Sequence, residues 1–210
     1  MRRRTLVGAA PAVSAAAISV PFLTACGGAA PSNASGATNG TPAARGVGTA
    51  TKRSAVIELD KGGSITMELF TADAPKWIEN FVQKATAGFY NNLRFHRVED
   101  WVVQGGDPSC LQYNPADPGP CGTGGSNTIP TETSKRPFTT GSAGVARRSD
   151  PRVSNDAQFF FVLRPGPTEL GGKWTQLDEQ YTHFGQVTEG MDLVRKIVAG
   201  DKIKRITIKG

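Results

Sequence analysis

The sequence predicts a mainly β domain, a barrel of strands with its ends plugged by two helices. Three observations carry this. Short apolar runs with alternating or continuous patterning recur between turn-forming residues, and the chain holds 25 Gly and 14 Pro among 210 residues. Only two segments show a helical period. The composition, 38% apolar and 20% charged, is too hydrophobic for a disordered chain and too rich in turn-formers for a helical bundle.

The elements follow in order. Ser54–Asp60 and Ser64–Phe70 alternate, with Ala55, Ile57 and Leu59 on one side and Ile65, Met67 and Leu69 likewise, and Lys61-Gly62-Gly63 joins them as a hairpin. Asp73 or Ala74 is expected to cap a helix that has Pro75 at its first position. Ile78, Phe81, Val82 and Ala85 form its apolar stripe and Gly88 ends it. Further strands are expected at 93–98, 101–104, 142–146, 158–163 and 183–187. A second helix is expected over 191–199, with Met191, Val194, Ile197 and Val198 inward and Gly200 at its end, and a last strand at 204–209.

The first 50 residues do not read as fold. Three arginines, Arg2 to Arg4, precede a small-residue apolar run that is broken by Pro11 and Pro21 and ends at Leu23-Thr24-Ala25-Cys26. This is an export leader. Its ending resembles the lipobox of bacterial lipoprotein signal peptides. That resemblance implies cleavage after residue 25, lipid on the Cys26 sulfur, and residence on the extracytoplasmic face of the bacterial cell membrane. Several acyl chains, at about 0.8 kcal/mol per buried CH₂, anchor a domain that one chain holds only marginally. The alternative is an ordinary cleaved leader with an incidental cysteine. Arg3-Arg4-Thr5-Leu6-Val7 also permits a twin-arginine exporter. Residues 26–53 are rich in Gly, Ala, Ser and Thr and read as a tether, which leaves 54–210 as the folded domain.

Charge and motif inventory exclude several functions. The net charge of +6 is mostly leader: four of the 24 basic residues, Arg2, Arg3, Arg4 and Arg45, precede residue 51, leaving 20 against all 18 acidic ones. No basic cluster marks a nucleic-acid surface. Neither His96 nor His183 is placed for a hydrolase triad, and no histidine stands at a zinc-like spacing from Cys110 or Cys121, so neither a metal nor another cofactor is expected. Gly122-Thr-Gly-Gly125 lacks the lysine of a phosphate loop and reads as a loop that needs backbone freedom. A redox enzyme would need a CxxC pair, which is missing. Cys110 and Cys121 flank a proline-rich, aperiodic segment. In an exported protein they are expected to form a disulfide, the other reading being two buried free thiols.

The densest signal is Phe95-His-Arg-Val-Glu-Asp-Trp-Val-Val-Gln-Gly-Gly-Asp-Pro108. Gly144-Val-Ala-Arg147, Ser154-Asn-Asp-Ala-Gln-Phe-Phe-Phe161 and Leu177–Val187 follow it. Taken in that order, these segments resemble the cyclophilin family of peptidyl-prolyl isomerases over residues 54–210. The resemblance implies a closed eight-stranded antiparallel barrel capped by two helices, and acceleration of rotation about X–Pro bonds in proline-containing peptides. Arg97 matches the catalytic arginine and Gln104 the glutamine beside it. Phe160 and Leu177 match the wall of the proline pocket, and Trp101 stands where phenylalanine is usual. Ala146 and Arg147 match the strand edge whose main chain binds substrate, and Tyr181 replaces a histidine of many eukaryotic members. Glu99-Asp100 replaces a common Pro-Gly pair, with one residue fewer before Gln104. Gln176 stands where cyclosporin-sensitive members carry tryptophan, and Trp174 lies two positions away.

Without the resemblance, Arg97 reads as a surface ion-pair partner and Phe159–Phe161 as core, with Phe160 on the opposite side of its strand from its two neighbours. The expected function is folding assistance to exported client proteins. The competing reading is a peptide-binding or chaperone module with weak catalysis. A closed barrel has no free edge strand, so a monomer is expected.

Overall fold

The computed structural model describes residues 52–210; the expected signal peptide, Cys26 and most of the tether lie outside these described residues. Ten strands occur among the described residues: β1 (Ser54–Leu59), β2 (Ser64–Leu69), β3 (Phe95–Val98), β4 (Val102–Gly105), β5 (Asn127–Pro130), β6 (Ser142–Val145), β7 (Val153–Asn155), β8 (Phe159–Val162), β9 (His183–Glu189) and β10 (Ile203–Lys209). Eight of them form one antiparallel sheet in the order β10-β1-β2-β9-β6-β8-β4-β3, and β5 pairs antiparallel with β7 in a separate two-stranded sheet.

The large sheet contains the eight strands expected from the sequence. Its outer strands do not share a continuous ladder. An isolated bridge between Arg94 and Lys202 joins the chain just ahead of β3 to the chain just ahead of β10. Asn92 N–H to Ile203 O (2.8 Å), Ile203 N–H to Leu93 O (2.8 Å) and Phe95 N–H to Asp201 O (2.9 Å) reinforce this seam. Closure is therefore narrower than a full strand pair would give, and the seam bonds reach only the first residue of β3 and of β10.

Strand alternation builds the interior. Ala55, Ile57 and Leu59 of β1 and Ile65, Met67 and Leu69 of β2 all face the core, as their period of two requires. Helix α1 (Pro75–Thr86) closes one opening with Trp77, Ile78, Phe81 and Ala85, and Trp77 stacks on Phe81 at 5.2 Å. The cap differs from expectation. Ala74 is the N-cap and offers no side-chain bond, while Asp73 pairs with Arg136. The carboxylate of Glu132, far along the chain, accepts Lys76 N–H (3.1 Å) and Trp77 N–H (3.0 Å) instead.

The second expected helix is much shorter than 191–199. Only Met191–Val194 forms α-helix (α3), after a single-turn helix α2 (Thr175–Asp178) that the periodicity did not reveal. Beyond it, Lys196 N–H bonds Leu193 O and Ile197 N–H bonds Val194 O, a tightened three-residue pattern. Ile197 remains buried but Val198 is rotated outward and is 61% exposed, contrary to the expected stripe.

Candidate active site

A single row of residues crosses four strands. Register pairs Arg97 of β3 with Gln104 of β4, Gln104 with Phe160 of β8, and Phe160 with Gly144 of β6. Alternation places Phe159 and Phe161 in the main core, while Phe160 joins a smaller cluster with Val102, Phe138, Val162, Trp174 and Leu177 on the other face. The ring of Phe160 lies on Gly144 so closely that a Cβ there would fall 2.2 Å from Cζ. Glycine is what lets the aromatic floor sit flat on the sheet.

Above this floor is a cleft of about 70 Å³, lined by Arg97, Trp101, Val102, Gln104, Ala146, Arg147, Phe160, Leu177 and Tyr181. It brings together every catalytic and substrate-binding residue nominated from the sequence. The cation stands at the mouth, with its side chain 42% exposed. Arg97 Nη1 donates to Gln104 Oε1 at 3.3 Å, and Arg97 Nε to Glu99 Oε1 at 2.7 Å. The bond from Arg97 holds the Glu99 carboxyl below its usual range. Gln104 in turn donates to Gln158 Oε1 (2.9 Å), and Gln158 Nε2 donates to Gly124 O (2.7 Å) and Gly122 O (3.2 Å).

The apolar wall is held from behind. Trp101 leans on Trp174 with ring centroids 4.9 Å apart, and Trp174 Nε1 donates to Arg164 O at 3.0 Å, so Trp174 supports the pocket without lining it. Phe160 stacks on Phe138 at 5.9 Å and meets Tyr181 edge-on at 5.8 Å. On the far rim Arg147 lies over the Tyr181 ring at 4.5 Å and donates through Nη2 to Gln180 Oε1 at 2.6 Å. Ala146 lines the cleft, but its N–H donates to Gln158 O and its C=O accepts from Asn155 N–H. The main chain left open at this edge, among the described residues, is that of Arg147.

The loop after β4 is fixed by two devices. Cys110 and Cys121 form a disulfide with Cα atoms 4.4 Å apart. The fully buried Asp107 carboxylate accepts the N–H groups of Ser109, Gly122 and Gly124. A Cβ at Gly124 would lie 2.1 Å from Asp107 Oδ1, which is the close approach the glycine-rich stretch permits.

The family of these elements is decided by comparison. The profile described as cyclophilin type peptidyl-prolyl cis-trans isomerase/CLD matches residues 55–209. This chain belongs to the cyclophilin family. A probable peptidyl-prolyl cis-trans isomerase of Brucella suis is 36% identical over 73% of this chain and 76% of its own length. Peptidyl-prolyl cis-trans isomerase B of Bacillus subtilis is 32% identical over 72% of this chain and 95% of its own. A crystal structure of a Cryptosporidium parvum cyclophilin type isomerase shares the fold, with a TM-score of 0.61 over 76% of this chain and 98% of that one at 22% identity.

Four contributors to this cyclophilin site were not nominated from the sequence as site residues. Val102 sits two residues before Gln104 on the same strand face, so alternation alone could have found it. Glu99 and Gln158 lay inside quoted motifs but had been given no role. Phe138 comes from a segment without periodicity, and no local signal marks it.

Proposed function

We propose that this cyclophilin-type peptidyl-prolyl isomerase acts on exported proteins at the outer face of the bacterial cell membrane, by a non-covalent mechanism with Arg97 as donor to the prolyl nitrogen. The observation that carries the reading is the convergence of one fixed guanidinium and one aromatic floor on a single cleft.

Amide resonance sets a rotation barrier of about 18–20 kcal/mol, which leaves X–Pro bonds turning over tens of seconds or more. Twisting the bond localises a lone pair on nitrogen. A permanently charged donor aimed at that pair stabilises the twisted state more than the planar one. Phe160, Leu177 and Trp101 hold the ring while the peptide on the other side of the bond rotates, its backbone paired to the open main chain of Arg147. Reaching milliseconds from tens of seconds takes about 5–7 kcal/mol, shared between the charged donor and a partly dry pocket. Neither nucleophile nor cofactor is required.

The extracytoplasmic placement rests on the leader and on the Leu23-Thr-Ala-Cys26 ending. The cysteine pair after β4 supports it, since such pairs persist as disulfides in oxidising compartments.

Two measurements test the proposal. In the full-length protein, Arg97→Ala is expected to lower kcat for an Ala-Pro peptide about a hundredfold with affinity little changed; equal rates would overturn the mechanism. Metabolic labelling with a radioactive fatty acid is expected to mark the parent but not Cys26→Ala, and equal labelling of the two removes the anchor.

A further inference from the structure

The turn between β3 and β4 carries a carboxylate with two partners. Glu99 Oε1 accepts Arg97 Nε at 2.7 Å and Glu99 Oε2 accepts Trp101 Nε1 at 3.0 Å. One side chain therefore ties the cation at the mouth of the cleft to the indole that walls it.

The geometry of a guanidinium makes this consequential. Its five N–H groups lie in one plane on three nitrogens, so an acceptor on one nitrogen leaves the plane free to swing about that contact. A second acceptor on another nitrogen removes the swing. Here Glu99 takes Nε and Gln104 takes Nη1, while Nη2 has no protein partner among the described residues. The Trp101 indole is similarly held at its N–H by Glu99 and on its face by Trp174. The Arg97 cation lies 5.5 Å from the indole ring, so the two groups share one fixed arrangement.

We infer that Glu99 is a positioning residue of the isomerase site, its carboxylate holding the Arg97 guanidinium and the Trp101 indole together so that the Nη2 edge is presented to the substrate. This rests on the reading of Arg97 as the donor. A half-exposed arginine on a flexible stem samples many rotamers, and a donor that must reorient during bond rotation gives back part of its effect. The carboxylate is specific to the task. A glutamine has only one acceptor oxygen and places donors where the guanidinium also has donors, whereas an aspartate keeps both oxygens on a shorter arm. An ordinary exposed ion pair would contribute little, and its loss would leave the cleft unaltered.

The test is a double-mutant cycle on the full-length protein, with kcat and KM for an Ala-Pro tetrapeptide measured by exchange spectroscopy. Glu99→Gln is expected to lower kcat about three- to tenfold with KM changed less than about twofold, and Glu99→Asp to fall between it and the parent. In the Arg97→Ala background the Glu99→Gln substitution is expected to change kcat less than about twofold, since only the hold on the Trp101 indole is then left to lose. Parent-like kcat for Glu99→Gln alongside a slow Arg97→Ala overturns this inference and leaves the arginine mechanism standing. An equal fractional loss in both backgrounds overturns it too, because Glu99 would then act other than through Arg97. An Arg97→Ala form as fast as the parent removes the mechanism and this role together.

Discussion

At the scale of single residues, the absent side chain at Gly144 matters as much as the side chains present. The Phe160 ring occupies the space a Cβ would fill, so Gly144→Ala must lift or turn the floor of the cleft. The expected result is a raised KM for Ala-Pro peptides together with about 1–3 kcal/mol lost from unfolding stability, both measurable on the same preparation. Neither Gly144 nor Glu99 could be assigned from local pattern, for one physical reason. Their roles arise from what lies across a strand or across a turn, and a linear reading sees only the residue type. Arg97, Gln104 and Phe160 were legible because they sit inside long motifs. Even so, Arg97 taken alone reads as a surface ion-pair partner, and it does make such a pair with Glu99.

At the scale of elements, the segment from Cys110 to Cys121 is held by a covalent staple and, beside it, by the buried Asp107 carboxylate. The two restraints are separable. Replacing both cysteines by serine is expected to cost about 2.5–3 kcal/mol, by the entropy of freeing a loop of this length, and to appear as a lower urea midpoint with little change in slope. Isomerase activity is expected to persist, because Asp107 still fixes Gly122 and Gly124, whose carbonyls orient Gln158. A loss of activity in step with stability would show that the staple, not the carboxylate, orders the rim. The elements themselves were legible where alternation is sustained, as in β1, β2 and β8. They were not legible where tertiary contacts decide. The short β5–β7 pair has little apolar alternation to betray it, α2 is one turn long, and the spacing of Met191, Val194, Ile197 and Val198 promised more helix than forms.

For the molecule as a whole, protonation of two histidines links stability to acidity. Burial lowers the pKa of His96 and of His183, against weaker opposing contributions that include Asp107 for the first and the Arg136 and Gly185 carbonyls for the second. The unfolded chain then binds protons that the folded chain refuses. Stability is full above the ordinary histidine value of about 6.5 and declines as pH falls below it, until the lowered folded-state values are passed. Urea midpoints measured from pH 7.5 to pH 5 are expected to fall, and a His183→Gln form is expected to show a shallower decline. A flat profile would mean that both rings take up protons as readily in the folded chain as in the unfolded one.

The sheet order carries one further consequence for how the domain comes into being. Its opening strand, β1, is hydrogen-bonded to β10, with Ser54 opposite Lys209, and Ile203 and Ile206 of β10 complete the core. The β1–β2 hairpin can assemble as soon as it emerges, yet its outer flank stays bare until the final seven-residue strand arrives. A chain that emerges from its amino end waits on that strand for completion, holding an unpaired edge in the meantime. An isomerase of other proteins thus itself passes through a stage with an edge open to unwanted pairing.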